Sequence, residues 1–131
     1  MTETKTLQDG SIQITIPLPP ITKKNHQQIC WKNSSGGKKI PFVRPSAQYS
    51  QYEKDCAAFL KPLSIDRPVN ISAKFYMPTK RRVDLCNLHE ALCDVLVKYG
   101  VIEDDNSRII MSMDGSRVRY DKENPRTEVT I

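Results

Sequence analysis

With 131 residues the chain is one domain of common size, able to bury a single hydrophobic core. A formal net charge of +5 points to a polyanionic partner, nucleic acid first. No apolar run approaches the ~20 residues that a membrane-spanning helix needs, so no membrane partner is expected.

The first ten residues read as a flexible polar leader and lack the basic and apolar sections of a signal peptide. A cytoplasmic location follows, and Cys30, Cys56, Cys86 and Cys93 are expected as free thiols. Ser11–Pro17 alternates Ile12, Ile14 and Ile16 with polar residues, the period of a half-buried strand, and Pro17, Pro19 and Pro20 end it. Ile21–Lys39 is polar and basic, with a turn expected at Gly36-Gly37. It belongs to a stretch from Gly10 to Tyr52 without one acid, in which Lys23, Lys24, Lys32, Lys38, Lys39 and Arg44 stand. The segment as a whole reads as a phosphate-contacting arm, while His26 alone reads as a solvated loop histidine. Ile40–Val43 fits a short strand. Ser46 then caps a helix over Ala47–Leu60, with Tyr49, Tyr52, Cys56, Phe59 and Leu60 as its core stripe. Val69–Met77 alternates as a third strand, closed by Pro78.

The basic run Lys80-Arg81-Arg82 leads into the most informative stretch, Val83–Gly100. At roughly 100° per residue, Leu85, Leu88, Leu92, Val95, Leu96 and Tyr99 share one side of a helix. Asp84 stands where an N-cap is wanted and Gly100 where a left-handed C-cap residue belongs. Asp84, Asn87, Asp94 and Lys98 lie on an adjacent flank. Cys86, His89 and Cys93 fall at i, i+3 and i+7, a spacing compatible with zinc but lacking a fourth ligand. Semi-buried packing is the simpler reading of these three. Arg108–Met113 and Arg117–Tyr120 read as strand interrupted at Asp114-Gly115, and Thr127–Ile131 as a last strand after a turn at Asn124-Pro125. The order β–β–α–β–α–β–β predicts an α+β single domain over residues 1–131, two helices packed on a mixed sheet.

From Asp84 to Asp105 the chain carries six carboxylates and one lysine. An acidic island in a basic protein suits a metal-dependent nuclease: cations draw in the phosphates, and carboxylate oxygens hold Mg²⁺ beside the scissile one. Taken alone, Asp84 reads equally as a helix cap and Asp104-Asp105 as a solvated turn.

Four stretches give the chain a resemblance. Ile14–Pro20 looks like an opening strand with a proline pair, and Met77–Asp84 like a basic approach to a catalytic aspartate. Asp84-Leu85-Cys86-Asn87-Leu88 resembles an Asp-Leu-Asp-Asn-Leu motif, and Asp104-Asp105 follows a helix ending at Gly100. In this order and spacing they resemble the RusA family of Holliday-junction resolvases, small phage and prophage endonucleases. The resemblance implies a RusA-like fold, a two-fold homodimer, branched four-way DNA as substrate, and hydrolysis of phosphodiester bonds with Mg²⁺ or Mn²⁺. It carries over Asp84, Asn87, Asp104 and Asp105. Lys23, Lys24, Asn25, Lys80, Arg81 and Arg82 are the expected DNA contacts.

Two departures accompany it: Cys86 replaces the second motif aspartate, and Glu90 replaces a usual lysine. A thiol is a poor Mg²⁺ ligand. Asp94 shares the flank of Asp84 but lies about 15 Å along the helix axis, whereas Glu90 lies about 9 Å along it and can reach back. The expected catalytic set is Asp84, Asn87, Glu90 and Asp105, and the expected metal ligands are Asp84, Glu90, Asp104 and Asp105. The alternatives are a catalytically weakened module that binds branched DNA and a zinc-stabilised interaction protein built on Cys86, His89 and Cys93. The flank of Cys86, His89, Cys93 and Val97 is a candidate dimer surface.

Overall fold

Ile14 and Ile16, the inward positions of the first alternating run, are fully buried. Around them the computed structural model describes residues 4–23, 27–33 and 36–131, with backbone alone for 27–30, 32 and 42–45. Nine strands and two helices follow in chain order among these residues. They are β1 (Thr4–Thr6), β2 (Ile12–Ile16), β3 (Gln27–Asn33), β4 (Lys39–Pro45), α1 (Ala47–Cys56), β5 (Val69–Asn70), β6 (Ser72–Met77), α2 (Leu85–Lys98), β7 (Ile110–Ser112), β8 (Arg117–Tyr120) and β9 (Arg126–Thr130).

The main sheet has the order β1-β2-β9-β6-β8 and is mixed: β8 runs parallel to β6, and the other neighbours are antiparallel. Its registers place Ile14 and Ala73 opposite Val129, and Ile16 and Phe75 opposite Thr127, so one face gathers the inward residues of three strands. The two helices share a core with that face: Tyr49, Tyr52 and Cys56 come from α1, and Leu88, Leu92, Val95 and Leu96 from α2. Each such aliphatic side chain contributes roughly 1.5–3 kcal/mol when fully buried. The opposite face is polar, with Arg126 bonded to Glu128 and lying over the ring of Tyr76. The α+β architecture expected from the sequence is the one observed.

Four local expectations change. Thr4–Thr6, placed in a flexible leader, form an edge strand against Ile12–Ile14, because backbone pairing at an edge needs no apolar pattern. Gln27–Asn33, within the basic segment where no strand is expected, is a strand paired with β4 in a two-stranded hairpin. The first helix-forming stretch ends its α-helix at Cys56 and tightens into a 3-10 turn over Ala57–Phe59. Val69–Met77 divides in two, since β5 pairs with β7 whereas β6 pairs with β9 and β8. Helix α2 ends where glycine was expected to end it. Gly100 has φ +74°, its amide donates to Val97 O, and the amide of Val101 reaches Leu96 O at 2.9 Å, a Schellman closure. Ser46 caps α1 through its hydroxyl, which accepts from Tyr49 N at 3.2 Å.

Candidate active site

The acidic residues come from two elements, the first turns of α2 and the loop that follows its end. That loop is clamped at both ends. Val101 and Ile102 are buried on one side, where Ile65 N donates to Val101 O and Glu103 N to Ile65 O. On the other side Ile109 is buried, and the amides of Ile109 and Ile110 both donate to Asn106 O. Between the clamps Asp104 organises the loop itself. Its carboxylate accepts from Asp105 N at 2.8 Å and from Asn106 Nδ2 at 2.9 Å. The amide of Asp105 is the leading cause that holds the Asp104 carboxyl below the usual carboxylate range. Asp104 is therefore engaged in the turn, while Asp105 lines a surface depression together with Cys86, His89, Glu90, Cys93 and Ser107.

Sequence spacing did not single out Ser107, Ile110 or Met113, which also line this depression. The one local signal was that Ser107 follows the acidic loop directly. Burial raises the Cys93 thiol to about 11, helped by the nearby charges of Asp105 and Asp94, so this thiol stays protonated. Burial also lowers His89, whose ring packs edge-on against Phe75 with centroids 5.4 Å apart. Among the described residues, neither ring nitrogen of His89 has a hydrogen-bond partner. The surface proposed for a second copy is thus partly corrected: His89 and Cys93 are covered by their own chain, and Cys86 is the exposed member. The zinc reading loses its geometry as well. Among the described residues, no three His, Cys, Asp or Glu side chains are grouped so as to hold a metal ion, so the expected four-ligand set of Asp84, Glu90, Asp104 and Asp105 is not assembled in one place either.

Asp84 occupies the N-cap position of α2 with extended backbone, and its carbonyl accepts from Leu88 N at 3.1 Å. Its carboxylate does not cap, contrary to expectation. Instead Asp84 Oδ2 accepts from Asn87 Nδ2 at 3.2 Å. Asn87 thus competes successfully with the first-turn amides, leaving an exposed carboxylate held by one neutral donor. Asp94 points elsewhere, into an ion pair with Lys23 at 2.9 Å. That contact is the leading cause of the raised Lys23 ammonium.

The cationic residues form a second neighbourhood. Arg81 and Arg82 line a cleft with Pro20, Thr22 and Pro78, which brings the start of the basic segment beside the run before α2. Lys80 sits over the exposed ring of Tyr120, 5.2 Å from its centroid. Lys24 and Asn25 lie outside the described residues. Of the expected site residues, Glu90 and Asp105 meet in one depression, Asp84 and Asn87 pair at the start of the same helix, and Asp104 supports the loop.

Comparison with known proteins adds to this geometry. A family model described as Endodeoxyribonuclease RusA matches residues 17–131. A crossover junction endodeoxyribonuclease RusA of Escherichia coli strain K12 is 31% identical over 100 residues, which cover 73% of this chain and 75% of that protein. The equivalent protein of Enterobacteria phage 82 is 32% identical over the same extent.

Proposed function

The chain belongs to the RusA family of endodeoxyribonucleases, and on that premise we propose that it cuts Holliday junctions and related branched DNA by hydrolysing phosphodiester bonds, within recombination and repair in a bacterial or phage-infected cytoplasm. No described helix is long and apolar enough to cross a membrane. The observation that carries the reading is the shared depression of Glu90, Asp105 and Cys86. Cys86 stands at the position of the motif's lost aspartate and faces the acidic loop from the first turns of α2.

The cofactor we propose is Mg²⁺, with Mn²⁺ as a substitute. Mg²⁺ takes oxygen donors, needs only one or two carboxylates from a protein, and completes its shell with water and substrate phosphate. Glu90 and Asp105 meet that demand in kind, while Asp84 stands at the N-cap of the same helix and Asp104 holds the loop that carries Asp105. When bound, the ion would lower the pKa of a water and offset the charge that grows on the phosphorus oxygens. The chain's own residues do the rest. Arg81 and Arg82 hold the flanking phosphates, and Asn87 fixes the direction of the Asp84 carboxylate. The clamped loop keeps Asp105 facing α2, so the acids are placed before DNA arrives.

Resolution of a four-way junction requires two symmetry-related cuts, and a two-fold homodimer with two such sites is the assembly this function calls for. The experiment is direct: incubate a synthetic four-way junction with the protein and Mg²⁺ and examine the strands for paired nicks. Symmetric nicking supports a resolvase. Tight junction binding with no nicking under Mg²⁺ or Mn²⁺ would establish a binding module that lost its cutting with the Cys86 position.

A further inference from the structure

The β3–β4 hairpin pairs with no other strand among the described residues, and it presents Trp31 at 61% exposure. Its register sets Trp31 opposite Pro41 and Asn33 opposite Lys39, so these four residues share one face. All four are exposed. An exposed indole on a strand offers a broad, flat apolar face on which a planar partner can stack. We propose that this face is a stacking platform for an unstacked nucleobase at the branch point of the DNA, with Trp31 as the platform and Lys39 beside it for the adjoining phosphate.

Charge selects nucleic acid over a second protein chain. From Gly10 to Tyr52 the sequence holds five lysines, one arginine and no acid. Protein interfaces are also rich in tryptophan, but charge is depleted at their centres. Two copies of this hairpin face to face would oppose like charges. A polyanion with exposed π-faces satisfies both features at once, because every base stacks on an aromatic ring and every phosphate meets a cation. Four-way junctions supply such bases where their strands exchange and stacking is interrupted. The inference rests on the branched-DNA reading above and adds the place where the branch is sensed.

Trp31 is the only tryptophan of the chain, so its fluorescence reports this face alone. The test is a titration of the intact protein with a four-way junction in EDTA, which prevents cutting, against a linear duplex of equal length. The expected result is quenching of Trp31 emission that saturates with junction binding and is much weaker with the duplex. Trp31→Ala should lower junction affinity about 5- to 100-fold with an unchanged salt slope, since stacking rather than a phosphate contact is lost. Trp31→Phe should keep most of the affinity. Junction binding with unaltered emission, or an unaltered affinity in Trp31→Ala, overturns the platform. So does emission that follows protein dilution instead of DNA, which would make the face an interface between copies. Failure of this inference alone leaves junction binding intact. Failure of the functional reading removes junction binding itself and takes the platform with it.

Discussion

Lys23 donates to Asp94 at 2.9 Å, linking the start of the basic segment to the second half of α2. This pair bears on which acid stands in for the aspartate missing at Cys86. Asp94 is paired with Lys23 and does not line the depression, whereas Glu90 lines it with Asp105. Both members of the Lys23–Asp94 pair are about a third exposed, so the contact stabilises the fold by no more than about 1 kcal/mol. Asp94→Asn should accordingly lose little stability and retain at least part of the junction cleavage, while Glu90→Gln loses it. Gel assays of both variants with Mg²⁺ check this, and the reverse pattern would transfer the role to Asp94.

The cleft lined by Arg81 and Arg82 makes a prediction about salt. Each phosphate contact removed should lower the slope of log K against log salt by about 0.9. Arg81→Ala with Arg82→Ala should weaken junction and duplex binding alike and reduce the slope by up to about 1.8. An unchanged slope would remove these two residues from the interface.

The thiols should divide by burial. Cys86 is exposed, whereas Cys56 and Cys93 are buried, with burial pushing Cys56 up to about 12 and Cys93 up to about 11. In a Cys30→Ser background, a thiol reagent should modify Cys86 within minutes and the other two only on unfolding. Mass spectrometry after a short pulse distinguishes them. Early labelling of Cys93 would mean that the α2 flank opens readily.

Gly100 closes α2 with φ +74°, and an added Cβ would meet Pro62 Cβ at 3.3 Å. Gly100→Ala should cost about 1–2 kcal/mol, mainly through the left-handed backbone. Thermal unfolding reads the loss. An unchanged Tm would show that the Schellman turn relaxes without penalty.

Much of this was legible in the sequence, for identifiable reasons. Helix α2 declared itself because its apolar period and its terminal glycine agree, and both correspond to contacts in the fold. Strand β3 was hidden because, among the described residues, its one partner is β4 in a two-stranded hairpin, so it was under little pressure to alternate. The division of Val69–Met77 was hidden for the opposite reason: burial alternates straight through Ile71, and only the change of partner breaks the strand. At the site, axial distance along α2 already favoured Glu90 over Asp94, but spacing could not show that Asp94 is held by Lys23, 71 positions away. Nor could it show that Asn87 would take the Asp84 carboxylate from the helix amides, since both partners are local and chemically suitable. His89 and Cys93 lie on a flank by helical period alone, and Phe75 and the acidic loop turn that flank inward.

The central claim is that Glu90 and Asp105 form a working acidic centre around the lost motif position. Mg²⁺-dependent cleavage of a four-way junction by the parent, Asp105→Asn, Glu90→Gln and Cys86→Asp, each with its junction affinity measured in EDTA, tests it most directly. The account predicts paired nicks from the parent, none from Asp105→Asn or Glu90→Gln at undiminished affinity, and at least parental activity from Cys86→Asp. A parent that binds but never cuts, with activity appearing only when Cys86→Asp is combined with Glu90→Lys, would contradict it.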